Sequence, residues 1–277
     1  MIKNITLGQY FPGNSVIHKL DPRVKIILAI ALIVIIFILK SVIGYAVLTG
    51  MLVAIILVSR VSFRVILKGI RPLWFIILFT VVLNAFFYNG KTVIFQWEFL
   101  KLTWEGIQQA ILIAVRLVYL IAFTSLLTLT TSPMEITDAL EQLLKPLRVI
   151  KFPAHELAMM MSIAMRFIPT LLEETDKIMK AQTARGAEFD SGNILAKAKN
   201  MVPLLVPLFV SAFKRADELA LAMESRCYRG GDNRTRMKVL RMGKRDYVAF
   251  GVMAALIAFT CLEYTIMIAL FGSMSII

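Results

Sequence analysis

Acidic side chains, histidine and cysteine are all scarce in this chain, and each shortage removes a class of function. The 277 residues carry 18 Asp and Glu against 31 Lys and Arg, a formal charge of +13 at neutral pH. Cys227 sits beside a basic segment and Cys261 inside an apolar run, so the two are not expected to meet and no disulfide framework is implied. His18 and His155 have no Cys or carboxylate cluster at metal-ligand spacing. Satisfied or solvated imidazoles are expected, and no metal or other cofactor is called for. No Gly-x-x-x-x-Gly-Lys-Ser/Thr phosphate loop occurs and no Ser, His and Asp set stands out, so enzyme activity is not supported. The amino-terminal stretch has no apolar core, and no signal peptide is expected.

What the chain has in excess is apolar surface. With 58% hydrophobic residues and a mean hydropathy of +0.76, it reads as an integral membrane protein. In that setting the surplus of Lys and Arg marks the cytoplasmic side of the bilayer, and no nucleic-acid partner is expected. Asp21-Pro22-Arg23 reads as a helix start, with Asp able to accept first-turn N–H groups and Pro preset for the first helical position. Spans follow at about Val24–Leu39, Val42–Val58, Pro72–Tyr88 and Gly106–Thr131, with a last one at about Tyr247–Phe271. The stretch from 60 to 71 carries Arg60, Arg64, Lys68 and Arg71 without an acidic residue, whereas the loop from 89 to 105 is balanced. The basic loop is therefore expected inside and the balanced one outside, which puts the amino terminus in the cytoplasm and the carboxyl terminus outside.

The expected fold is an all-α integral membrane protein with five transmembrane helices, four amino-terminal and one carboxyl-terminal, and a large cytoplasmic helical region before the last span. The expected divisions are an interfacial segment at 1–23, four spans in 24–131, the helical region in 132–246, and the last span with an external end in 247–277. Apolar runs such as Leu157–Met165 and Met201–Val210 are too short to span, with Arg166, Pro203 and Pro207 interrupting them. Prolines at 133, 146, 153, 169, 203 and 207 divide the region into three helical hairpin-like pieces. Two amphipathic rods are expected, one from Pro169 and one from near Pro207, each roughly 25 to 30 Å long at about 1.5 Å per residue. The first runs out at Ala184-Arg185-Gly186 and the second at Ser225-Arg226-Cys227.

Two accounts of those arginine tips stand side by side. In one, Gly186 and Gly230 or Gly231 stop the helices and each arginine favours the last turn through the dipole and the free carbonyls. In the other, a narrow helix end enters a groove on another protein and presents a guanidinium to a carboxylate there. Within the spans, Arg116 and Glu263 are costly charges that must face protein or water and could pair. Such a pair can serve as a packing lock or can line an ion pathway. The second use would make the chain an autonomous secondary transporter, against which stand five spans without an evident inverted repeat.

The chain resembles the transmembrane (T) component of energy-coupling factor transporters. The resemblance rests on Gly8-Gln-Tyr-Phe-Pro-Gly13 with Leu20-Asp-Pro-Arg-Val-Lys25, on Met165-Arg-Phe-Ile-Pro169, and on the paired triplets at Arg185 and Arg226. It covers nearly the whole length; the second triplet departs from Ala-Arg-Gly with Ser first and Cys last. The resemblance implies a non-catalytic scaffold in a prokaryotic cell membrane. Two ATP-binding cassette ATPases would dock on Ala184, Arg185, Gly186, Ser225, Arg226 and Cys227 at the ends of coupling helices. A separate membrane subunit, the S component, would bind a vitamin. An alternative within the class is the T subunit of a dedicated cobalt or nickel importer.

Overall fold

The computed structural model describes residues 10–39, 41–88, 92–97, 100–150, 152–187, 189, 193–230 and 240–271. The elements in order are α1 (Pro22–Ile38), α2 (Val42–Ser59), α3 (Phe63–Ile70), a single 3-10 turn (Arg71–Leu73) and α4 (Trp74–Phe87). Next come β1 (Val93–Trp97), β2 (Leu100–Thr103), α5 (Trp104–Thr130), α6 (Pro133–Leu144), a 3-10 stretch (Lys145–Ile150), α7 (Ala154–Ala184), α8 (Ile194–Ser225) and α9 (Lys244–Phe271). The chain is an all-α integral membrane protein. Its β element among the described residues is a short antiparallel hairpin, β1 with β2, in the stretch expected to be a loop, with an irregular register between Val93 and Phe95. The basic stretch after α2, also expected to be a loop, is largely the helix α3.

Among the described residues five helices are long and apolar enough to cross a bilayer: Val42–Ser59, Phe63–Phe87, Trp104–Thr130, Leu195–Ser225 and Lys244–Ile266. The number matches the expectation, but the membership differs. The expected span Val24–Leu39 falls in α1, whose 17 residues give about 26 Å of helix against a hydrocarbon core of about 30 Å. By the same measure of length and composition α8 qualifies, although the prolines were expected to break it. Pro203 and Pro207 lie inside it, and Pro169 lies inside α7, so both rods run on as single helices of 31 and 32 residues. Each lost N–H donor and ring clash bears on one turn, and neighbouring turns carry the helix through. The rods thus begin at Ala154 and Ile194 and are about 46 to 48 Å long, not the 25 to 30 Å expected.

The chain divides into two compact units. One comprises Gly8–Ile136 and Leu240–Ile277. Here α5 is the central helix, with α1, α2, α3 and α4 packed on it and α9 on α1. Leu32, Ile35 and Ile36 of α1 interlock with Tyr45 and Leu48 of α2, Tyr119 and Phe123 of α5, and Met253 and Leu256 of α9. Outward the helices stay apolar, as at Ile30, Leu57, Phe75 and Phe79, and no residue of α4 is fully buried. A water-soluble bundle would place polar side chains there; hydrocarbon asks for none.

This unit is closed at one end by a polar knot. Asp21 caps α1 by accepting from the Arg23 N–H at 2.9 Å, and its own N–H donates to Asp246 at 2.8 Å, tying α1 to the start of α9. Lys25, only 6% exposed, donates to His18 O at 3.1 Å and to Thr130 O at 2.9 Å, a cation at the carboxyl end of α5. His18 is satisfied in turn: Nε2 donates to Phe11 O at 3.0 Å and Nδ1 shares a hydrogen bond with Ser15 Oγ at 2.7 Å. Burial pushes the Asp21 carboxyl up, but the Arg23 side chain and N–H, with the charges of Arg23 and Lys25, more than offset this and hold it below its usual range.

The other unit holds Thr137–Val239, in which α7 and α8 pack antiparallel. Gln182 reaches Pro203 O at 3.4 Å, Glu174 accepts from Ser211 at 2.6 Å and also from Arg215, and the Tyr228 hydroxyl meets Met159 Sδ at 3.0 Å.

Because the folded Asp21 pKa lies below its unfolded value, its stabilisation is present above the unfolded value of about 3.9 and is lost as pH falls through the folded one. Thermal unfolding in detergent should therefore show wild type losing stability below about pH 4, with a shallower fall in Asp21→Asn. Asp21→Ala, which removes the cap as well, should cost about 1 kcal/mol or more at neutral pH.

Candidate functional site

The two arginine triplets end their helices in the same backbone device. At the end of α7 the Gly186 N–H donates to Thr183 O at 2.9 Å and the Ala187 N–H to Gln182 O at 3.0 Å. At the end of α8 the Cys227 N–H donates to Glu224 O at 2.8 Å and the Tyr228 N–H to Met223 O at 3.0 Å. Both are Schellman caps, in which a residue in the left-handed region turns the chain back so that its own N–H groups satisfy the last carbonyls. Gly186 takes that place with φ +89° and Cys227 takes it with φ +57°. The stop of the second rod is thus Cys227, three residues before Gly230 and four before Gly231, where the sequence suggested it. Gly230 also has a positive φ, in the turn beyond the helix, and Gly231 lies outside the described residues.

This geometry bears directly on the arginines. Since backbone donors already serve the last carbonyls, the guanidinium groups are left unspent. Arg185 and Arg226 are both exposed, and neither side chain makes a hydrogen bond or ion pair among the described residues. Ala184 and Ser225 precede them as small residues, Ser225 turning its hydroxyl back to Ala222 O at 3.0 Å. Two exposed, unpaired forks on rigid helix ends are suited to bidentate capture of carboxylates.

The second tip is not isolated. It opens into a cleft of about 830 Å³ formed by α6, the first half of α7 and the turn after α8. Asp138 and Glu141 come from α6, His155 and Arg166 from α7, and Arg229 from the turn. His155 Nδ1 lies 2.8 Å from Glu141 Oε1, while Nε2 is buried without a hydrogen-bond partner. Arg166 appeared in the sequence as an interruption of an apolar run and inside Met165-Arg-Phe-Ile-Pro169, with no partner indicated. No period or spacing signals that it returns to the tip of another helix sixty residues on, because only the antiparallel packing of α7 and α8 brings it there.

Arg116 and Glu263 are not joined by a hydrogen bond. Arg116 Nη2 reaches Leu39 O at 3.5 Å and its guanidinium lies 5.5 Å from the Phe37 ring centroid, a cation–π contact. Both carboxylate oxygens of Glu263 are buried without a hydrogen-bond partner, against Gly44, where a Cβ would stand 2.8 Å from Oε2. Cys227 and Cys261 are both free thiols. Among the described residues no three His, Cys, Asp or Glu side chains gather as metal ligands.

The caps set up a reciprocal experiment. Gly186→Ala should cost about 1 kcal/mol at the end of α7, since alanine resists positive φ. Cys227→Gly should be neutral or stabilising at the end of α8 by about the same amount. Amide hydrogen exchange of the last turn of each helix reads both.

Comparison with known proteins places this architecture. The family model described as cobalt transport protein (CbiQ) matches residues 13–237. An energy-coupling factor transporter transmembrane protein EcfT of Clostridium kluyveri is 59% identical over 250 residues, covering 90% of this chain and 93% of that protein. Its namesake in Thermosediminibacter oceani is 57% identical over 249 residues, covering 90% and 94%. The Bacillus subtilis protein of the same name is 50% identical over 262 residues, covering 94% and 99%. Matches of this extent take in the bundle, both rods and both arginine tips, and the chain belongs to the EcfT family of energy-coupling factor transporter transmembrane proteins.

Proposed function

We propose that this chain is the non-catalytic coupling subunit of an ATP-driven importer, with Arg185 and Arg226 as the anchors on which two ABC ATPases dock. The observation that carries the reading is the matched pair of helix ends: identical backbone caps leave both guanidinium groups exposed and unpaired. Nucleotide-driven closing of the ATPase pair displaces the two tips relative to one another. A helix of about 46 Å passes such a displacement along its length where a loop would absorb it. Antiparallel packing through Glu174, Ser211 and Arg215 makes the two rods move as a lever pair. ATP is bound and hydrolysed by the partners, and a membrane S component carries the cargo, here read as a vitamin. In this reading 132–246 is the cytoplasmic coupling region and the amino terminus is inside. The last span then runs outward to an external carboxyl end, as the basic stretch from Arg60 to Arg71 directs. The description of the matching family favours a second reading of the cargo, in which the S component belongs to a dedicated cobalt or nickel importer.

Arg185→Ala and Arg226→Ala should each weaken co-purification of the ATPases, and the double variant should abolish transport while the chain still inserts in the membrane. Undiminished recovery of the ATPases with the double variant would reject the docking role. Mass spectrometry of the co-purified membrane subunits distinguishes vitamin from metal cargo.

A further inference from the structure

If the tips are ATPase docking points, the reading on which this inference rests, two more arginines at the second tip are left without a task. Arg166, from the middle of α7, and Arg229, from the turn after α8, line the same cleft as Arg226. All three are exposed, and none makes a side-chain hydrogen bond or ion pair among the described residues. Of the two carboxylates on the α6 wall, Glu141 already accompanies His155 at 2.8 Å, which leaves Asp138 facing three guanidinium groups. Like charges lining one cleft repel each other and focus a positive potential in its mouth, an arrangement that an incoming anion relieves. We propose that this cleft is a composite docking site for an acidic segment of the ATPase at the second tip. Arg166 and Arg229 share its carboxylates with Arg226.

A segment fits better than a point anion. The volume of about 830 Å³ is several side chains wide, and the lining is mixed, with apolar surface between the arginines. The two tips are therefore not equivalent. Beyond Arg185 the sequence continues through Glu188 and Asp190, whereas beyond Arg226 it continues to Arg229. The first tip is followed in sequence by acidic residues, whereas three arginines line the cleft at the second. Attraction at the second tip should be the stronger and the more sensitive to salt.

The test compares ATPase binding by the full-length chain in detergent across a sodium chloride titration. The proteins are wild type, Arg226→Ala, Arg166→Gln/Arg229→Gln and Arg166→Lys/Arg229→Lys, each checked for an unchanged melting temperature. The Gln pair should weaken ATPase binding on the order of tenfold or more and flatten its salt dependence. The Lys pair, which keeps the charge, should lie close to wild type. If Arg226→Ala weakens docking and the Gln pair does not, the composite cleft is rejected while the docking role of Arg226 stands. If neither weakens it, the docking reading itself falls. A Gln-pair defect that appears only in vesicles containing anionic lipid would assign the arginines to headgroups and overturn the proposal.

Discussion

Midway along the paired rods, the carboxylate of Glu174 on α7 accepts from both Ser211 and Arg215 on α8, and the placing of the second arginine tip follows from that contact. Residues four apart on a helix share a face, so one carboxylate gripping both positions fixes rotation as well as register. With that register set, Gln182 meets Pro203 near one end and Tyr228 meets Met159 near the other. The second tip is thereby held against the amino-terminal half of α7, where Arg166 awaits it. A slide of one turn, about 5.4 Å, would separate Arg226 from Arg166 and dissolve the cleft.

The unit built around α5 solves the opposite problem. Its helices present apolar side chains on both sides, so burial of hydrophobic area does little to hold one helix to the next in lipid. Polar closures do this instead. Asp21, Lys25 and Asp246 join the start of α1, the end of α5 and the start of α9, each through hydrogen bonds to backbone groups that the helix termini leave open. The hydroxyls of Thr49 and Tyr119 join α2 to α5 deeper in the bundle. Leu39 O accepts from the Tyr45 hydroxyl at 3.3 Å and from Arg116 at 3.5 Å.

The two tips show one backbone requirement met by different residues. A Schellman cap needs a left-handed residue one place after the arginine, and glycine supplies it without strain at 186. Cysteine supplies it at 227 at some cost in strain, and the ion-pairing capacity of Arg226 is preserved all the same, because the carbonyls are served by N–H groups and not by the side chain. Ser225-Arg226-Cys227 is therefore the structural counterpart of Ala184-Arg185-Gly186 despite sharing only the arginine.

Local sequence was enough to read the membrane setting, the cap at Asp21, the glycine stop at Gly186 and the arginine at each helix end, while the stop at Cys227 carried no such signal. These follow from composition, local capping chemistry and glycine's freedom at positive φ, all of which act within a few residues. Where the rods begin was misread from Pro169, Pro203 and Pro207, because the cost of an interior proline is local and the packing of the two rods outweighs it. Tertiary packing alone brings Arg166 to Arg226, turns Arg116 to Leu39 and Phe37 with no hydrogen bond to Glu263, and carries Lys25 to Thr130. Those meetings span up to 105 residues of chain, and it is the packing of whole helices that brings them about, a long-range outcome that no local pattern encodes.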